Sequence, residues 1–292
     1  MKDLLVSLIA ALLAALIGLT ATKAKDAGPA TPTTRESDSP FVVVFIDAKT
    51  EKAIGPDHSN RSLFARAIEK SADFGAKGVV LKFFIDKRKS AEGDQALANA
   101  MKRTKVLLEA RLDDTEPEPN NLPERFRLPG SGKVVGQPMS GSSGWMPLPE
   151  LSAAAYDVGF VDVRLDKNVA RRFPVIEHYR GNYVKSLCLS CIELATGKTA
   201  TVVPGKSVAL GDKAVALDER SEVPIDYPAE DGLKYISLVD FLDAKALPEV
   251  KDRIVIVGWD VDTFEPLETP IGKVRPHRLF YYTLISLYRQ LH

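Results

Sequence analysis

FVVVFID, Phe41 to Asp47, and GVVLKFFID, Gly78 to Asp86, decide the fold, because each is a short apolar run rich in β-branched residues. Runs of this kind, without polar alternation, suit strands buried on both faces. Between them SLFARAIEKSADF, Ser62 to Phe74, gathers Leu63, Phe64, Ala67, Ile68 and Phe74 on one broad helical face, and Gly75 stands where a helix stop belongs. Strand, helix and strand make a βαβ unit, which implies parallel pairing and a right-handed crossover.

The pattern continues downstream. Asp94 to Arg103 reads as a helix, Thr104 to Ala110 as a third strand, and Asp113 to Gly144 as a long Pro-, Gly- and Ser-rich loop. Leu148 to Ala155 reads as a short helix, Asp157 to Val163 and Phe173 to Tyr179 as strands, and Tyr183 to Leu194 as a strongly apolar helix ending at Gly197. Short strand pieces fill Thr201 to Tyr227, and Ile236 to Leu242 reads as a short helix. RIVIVGW, Arg253 to Trp259, is the last buried strand, and Leu279 to Leu291 closes the chain as an amphipathic helix. The expectation is an α/β fold: one domain over 41–292 with a mixed, largely parallel central sheet and helices on both faces.

Upstream, Leu4 to Ala21 is apolar and uncharged. As a helix it would span about 27 Å, barely the hydrocarbon core of about 30 Å. Residues 1–23 read either as a signal peptide, with Thr22 and Ala24 at a −3/−1 cleavage site, or as a membrane anchor. Lys2 precedes the segment while Lys23, Lys25 and Arg35 follow it. The positive-inside count leans toward a cytoplasmic domain, by too few charges to set orientation. Residues 24–40, rich in Pro, Thr and Ser, read as a flexible linker.

Composition narrows the function. The 292 residues are 45% hydrophobic and 27% charged, enough for a sizeable core. Lys plus Arg balance Asp plus Glu at 39 each, which argues against nucleic acid as a partner. Cys188 and Cys191 have C-x-x-C spacing but lie in LCLSCIEL, an apolar helix, so they read as core residues rather than a redox pair. The four histidines form no H-x-x-x-H pair, GSSG lacks the nucleophile-elbow spacing, and His277 after Pro276 reads as a packing or capping residue. The expectation is therefore no catalytic set, no metal and no cofactor. Asp47, Asp86 and Asp260 stand at the carboxyl ends of strands, the edge where open α/β sheets bind ligands. Arg61 leads a helix, and Arg171 and Arg172 follow a turn, where each suits an acidic or anionic partner.

Six pieces arriving in one order carry a resemblance. They are FVVVFID, the Arg61-led helix ending at FGAKGVV, EGDQALANAM (Glu92 to Met101), PLPELSAAAYDVGFVDV (Pro147 to Val163), LDKNVARRFPVI (Leu165 to Ile176) and VKDRIVIVGWD (Val250 to Asp260). Over Phe41 to Tyr288 the chain resembles the second class of CHASE extracellular sensory domains, found attached to adenylate cyclases and histidine kinases. Two departures stand out: the family strand after the glycine-alanine turn usually carries an aspartate, whereas VVLKFFID has Lys82 nearby and Asp86 later, and GKVRPHRLF keeps Gly272, Val274 and His277 but little else of a Gly-Val-Glu-x-His-Ala segment. Family members continue into membrane helices and an output domain, whereas this sequence stops at His292.

The resemblance implies a non-enzymatic sensory or ligand-binding domain at the bacterial envelope. It would be anchored in the inner membrane on the periplasmic side, or released there after cleavage, and would signal through a separate membrane partner. A degenerate sensor kept as an envelope scaffold is the alternative, and a homodimer is compatible with either. Candidate ligand-binding residues are Asp47, Arg61, Arg171 and Asp260; the ligand is an unspecified small molecule or envelope protein.

Overall fold

Six strands lie side by side in one sheet, every neighbouring pair parallel. A computed structural model describes residues 39–55, 60–115, 122–128 and 134–292. In chain order its first part holds β1 (Phe41–Asp47), α1 (Ala48–Ile54), α2 (Arg61–Asp73), β2 (Gly78–Leu81), α3 (Ala91–Ala100), β3 (Val106–Ala110), β4 (Ser140–Gly141), α4 (Pro149–Ala154) and β5 (Asp157–Phe160). Next come β6 (Arg172–Pro174), β7 (Ile176–Tyr179), β8 (Asn182–Lys185), α5 (Leu187–Thr196), β9 (Thr201–Val203), β10 (Ser207–Leu210), β11 (Lys213–Ala216) and β12 (Glu222–Pro224). The last part is β13 (Ile236–Ser237), α6 (Leu238–Asp243), β14 (Ile254–Asp260), β15 (Leu267–Thr269), β16 (Gly272–Val274) and α7 (Pro276–Leu291). The central sheet runs β13-β1-β14-β2-β3-β5, so the last long strand inserts between the first two.

Because successive strand residues point to opposite faces, the continuous apolar runs feed two cores. Val42, Val44 and Ile46 of β1 pack with Phe64 and Ile68 of α2, Leu97 of α3 and Phe241 of α6. Phe41, Val43 and Phe45 pack on the other side with Leu189 of α5 and Leu284 and Leu287 of α7. Helices on both faces of an α/β sheet are thus observed. The antiparallel pairing sits outside the central sheet, in small ribbons such as β9-β10-β11 and β15-β16.

Four local readings are corrected. The strands read over GVVLKFFID and DVGFVDV end at Leu81 and Phe160, so Lys82 to Asp86 and Val161 to Val163 lie past β2 and β5. Tyr183 belongs to strand β8, and the helix starts only at Leu187, because Ser186 caps it by accepting a hydrogen bond from the Leu189 amide at 3.2 Å. Phe173 to Tyr179 is two strands in different sheets: Pro174 closes β6, and the Val175 amide turns to the Ser221 carbonyl at 2.9 Å. Ile236 and Ser237 form the edge strand β13 before α6 begins. The segment Leu4 to Ala21 lies outside the described residues; among those described, no helix is long and apolar enough to cross a membrane.

Candidate functional site

A cavity of about 430 Å³ opens at the carboxyl edge of β2, β3 and β5, beneath the first turns of α7. That volume lies within the range of small-molecule sites. Apolar walls come from the ends of strands, with Phe160 and Val161 after β5, and from α7, with Leu279 and Phe280. Phe264 and Leu267, near the β15-β16 ribbon, line it as well.

Its polar wall follows from strand register. Val80 and Leu107 pair across β2 and β3 and face the α5/α7 layer. Two residues further along the chain from each, the same side carries Lys82, just past the end of β2, and Glu109 of β3. They form an ion pair with Nζ to Oε2 at 2.6 Å, Lys82 only 5% and Glu109 only 3% exposed. The Lys82 ammonium also lies 5.4 Å from the centre of the Phe280 ring, within cation–π range. Burial pushes the Glu109 carboxyl above the ordinary carboxylate range even with Lys82 beside it.

Further out, Asp162 accepts a hydrogen bond from the Leu112 amide at 3.2 Å and faces Arg111 Nε at 3.6 Å. Arg111 is held more closely by Asp113, at 2.6 Å, and its guanidinium lies 5.2 Å from the Trp145 ring centre. Burial raises Asp162 too, outweighing the Leu112 amide and Arg111. Behind it Glu177 is fully buried with neither carboxyl oxygen hydrogen-bonded, and burial, reinforced by the charges of Asp162 and Asp113, holds it far above the ordinary range.

His277 enters from α7. Its Nδ1 accepts the Trp259 amide at 3.2 Å, so the neutral ring carries its proton on Nε2. Burial and the Lys82 charge hold its pKa well below the usual histidine range. Gly258 makes this approach feasible: a Cβ there would meet Nδ1 at 2.8 Å. Around the imidazole, Trp259 stacks on Phe264 with centroids 5.2 Å apart. Cys188 also lines the cavity, its thiol kept protonated by burial that Lys82 only partly counters. Both cysteines are free and buried, Cys191 outside the cavity wall.

The family model of the CHASE2 domain matches residues 6–286, nearly the whole chain. The chain belongs to the CHASE2 family. CHASE2 domains are extracellular sensory domains, as the resemblance implied. The match begins inside the apolar opening segment, upstream of Phe41. No curated protein and no solved structure matches the chain.

In this CHASE2 domain the four residues singled out from sequence lie away from the cavity. Asp47 and Asp260 are brought side by side, paired in register at the ends of β1 and β14. Asp47 caps α1 through the Thr50 amide at 3.0 Å and accepts the Ser237 hydroxyl at 2.7 Å. Asp260 is gripped by Arg278 at 2.7 Å and Arg275 at 3.0 Å. Arg61 is buried against Asp94 at 3.2 Å and the Lys87 carbonyl at 2.9 Å, fixing α2 to α3. Arg171 is exposed, and its carbonyl accepts the Ile225 amide. Lys82, Glu109, Asp162 and His277 are among the polar residues that line the cavity instead. A lysine inside VVLKFFID and a glutamate inside VLLEA were the available signal, since a charge in a twice-buried strand calls for a partner one strand away.

Proposed function

We propose that this CHASE2 domain senses a small molecule held in the cavity between α7 and the carboxyl edge of the sheet. The single observation behind the reading is the cavity itself: about 430 Å³, largely apolar, with a buried Lys82–Glu109 pair set into its wall. α7 supplies His277, Leu279, Phe280 and Thr283 to it, so occupancy bears directly on the position of that helix. Movement of α7 is then the signal handed to a membrane partner, with the domain on the extracytoplasmic side of a bacterial membrane. Family habit and the apolar stretch Leu4 to Ala21 support that setting.

The reading is one of recognition without turnover. Among the described cavity residues the hydroxyls are committed to backbone: Thr283 donates to the Leu279 carbonyl at 2.9 Å and Ser186 caps α5. Cys188 stays a neutral thiol, and a nucleophile needs a base within hydrogen-bond reach. Native mass spectrometry of the full chain purified from a bacterial envelope tests the proposal. A co-purifying mass present in the native protein and lost in Thr283→Trp is expected. A ligand that stays bound when the indole of Thr283→Trp fills the cavity, or a domain that binds nothing across a metabolite library, would overturn it.

A further inference from the structure

We infer that the cavity takes a small organic cation, an amine carried on an aromatic or branched apolar body. The inference rests on reading the cavity as a ligand site, and it comes from counting charges around the wall. Two cations line the cavity, and both are already engaged: Lys82 by Glu109 at 2.6 Å and Arg111 by Asp113 at 2.6 Å. His277, the third basic group there, is neutral. Two carboxylates line the cavity with acceptor capacity to spare. Glu109 Oε1 accepts no hydrogen bond among the described residues, and Asp162 Oδ1 has only Arg111 Nε at 3.6 Å, beyond hydrogen-bond reach.

Behind that wall Glu177 is 0% exposed, and among the described residues neither of its carboxyl oxygens has a hydrogen-bond partner. An ammonium offers three donors and no acceptor, the complement of two under-donated carboxylates. A carboxylate ligand would have to share Lys82 with Glu109 and Arg111 with Asp113, while standing against the unmet oxygens of Glu109 and Asp162. A neutral hydroxyl offers a single donor and so leaves one of the two acceptors unmet in a low-dielectric pocket. The rest of the wall selects the body of the ligand: Phe84, Phe160, Phe173, Phe264 and Phe280 give ring faces that suit both an apolar group and a cation.

Isothermal titration calorimetry of the full chain with three probes sharing one phenethyl body tests this: phenethylamine, its neutral isostere 2-phenylethanol, and 3-phenylpropionate. Phenethylamine is expected to bind at least about ten-fold more tightly than either of the others, the effect of one charge-assisted hydrogen bond. Asp162→Asn should cut amine affinity by about ten-fold while leaving 2-phenylethanol within about two-fold. The comparison of probes uses the unaltered chain, so it stands even if a variant fails to fold. If 3-phenylpropionate or 2-phenylethanol equals or exceeds the amine, and Thr283→Trp removes that binding, the cationic class is wrong and the ligand site survives. An amine preference untouched by both Asp162→Asn and Glu109→Gln also overturns the class. If no probe binds, or binding ignores Thr283→Trp, the inference and the reading beneath it fail together.

Discussion

Replacing Lys82 with Met removes one half of a buried ion pair and leaves the other half in place. Lys82 and Glu109 meet at 2.6 Å with 5% and 3% of their surfaces exposed, so solvent reaching them only through the cavity replaces little of the missing ammonium. Breaking such a pair from one side costs about 3–5 kcal/mol. Loss of the contact with Phe280 at 5.4 Å adds about 0.5–2 kcal/mol. The cost depends on pH in a definite direction. Glu109 already has a folded pKa above its unfolded value, so its folded state retains a proton longer and stability falls as pH rises between the two. Without Lys82 the folded value climbs further, and the falling window extends to higher pH. The deficit of Lys82→Met relative to the native chain therefore grows by about 1.4 kcal/mol per pH unit between the two folded values. Urea denaturation at pH 5.5 and pH 8 measures it, with the larger deficit at pH 8. Lys82→Met/Glu109→Leu, which removes both charges, should return to within about 1 kcal/mol of the native protein. A single variant as stable as the native chain at pH 8, or a double variant weaker than the single, would refute the reasoning.

Gly159→Ala should destabilise by about 2–3 kcal/mol in the same denaturation assay, because its Cβ would stand 2.5 Å from Leu187 Cα and N, backbone atoms at the start of α5. Gly232→Ala, with nothing within 4 Å and no positive φ, serves as the control and should shift stability by under about 0.5 kcal/mol. Asp260→Asn should cost about 1–3 kcal/mol at pH 7. Burial pushes the Asp260 carboxyl up, but hydrogen bonds from Arg278 and Arg275 outweigh it and hold it below the ordinary range. Its contribution is thus present above the unfolded pKa and lost as pH falls through the folded one, so native and variant stabilities should converge in acid.

The sheet was legible because FVVVFID, GVVL and IVIVGW have apolar side chains on both faces, and only strands covered by helices on two sides require that. Gly159 and Gly258, each in a quoted family piece, turn out to admit Leu187 and His277 to close range. The site was half legible. Strand-end logic led to the carboxyl edge, where the cavity does lie, but it selected the final polar residue of β1 and β14 rather than the face on which a side chain points. Asp47 and Asp260 were spent on a cap and an arginine clamp. Lys82 was visible as a family departure, yet its meaning needed the register that sets it beside Glu109. His277 was read as packing, and it does pack, against Trp259 and Phe264. Its place in the cavity depends on α7 crossing the sheet edge, a tertiary fact with no local signature.

The position of β14 has a consequence for how the protein is made. Phe41 pairs with Ile254, so the first strand waits for nearly the whole chain before its longer partner exists, β13 on its other edge meeting only two of its residues. Until then β1 and β2 flank a gap, each showing an unpaired apolar edge of the kind that recruits other chains. Such long-range closure makes folding slow. A nascent or interrupted chain that stops short of residue 254 is thus a candidate for chaperone capture or proteolysis. Because α7 follows after the short β15-β16 ribbon and roofs the cavity, the cavity and the completed sheet come into being in the same final step.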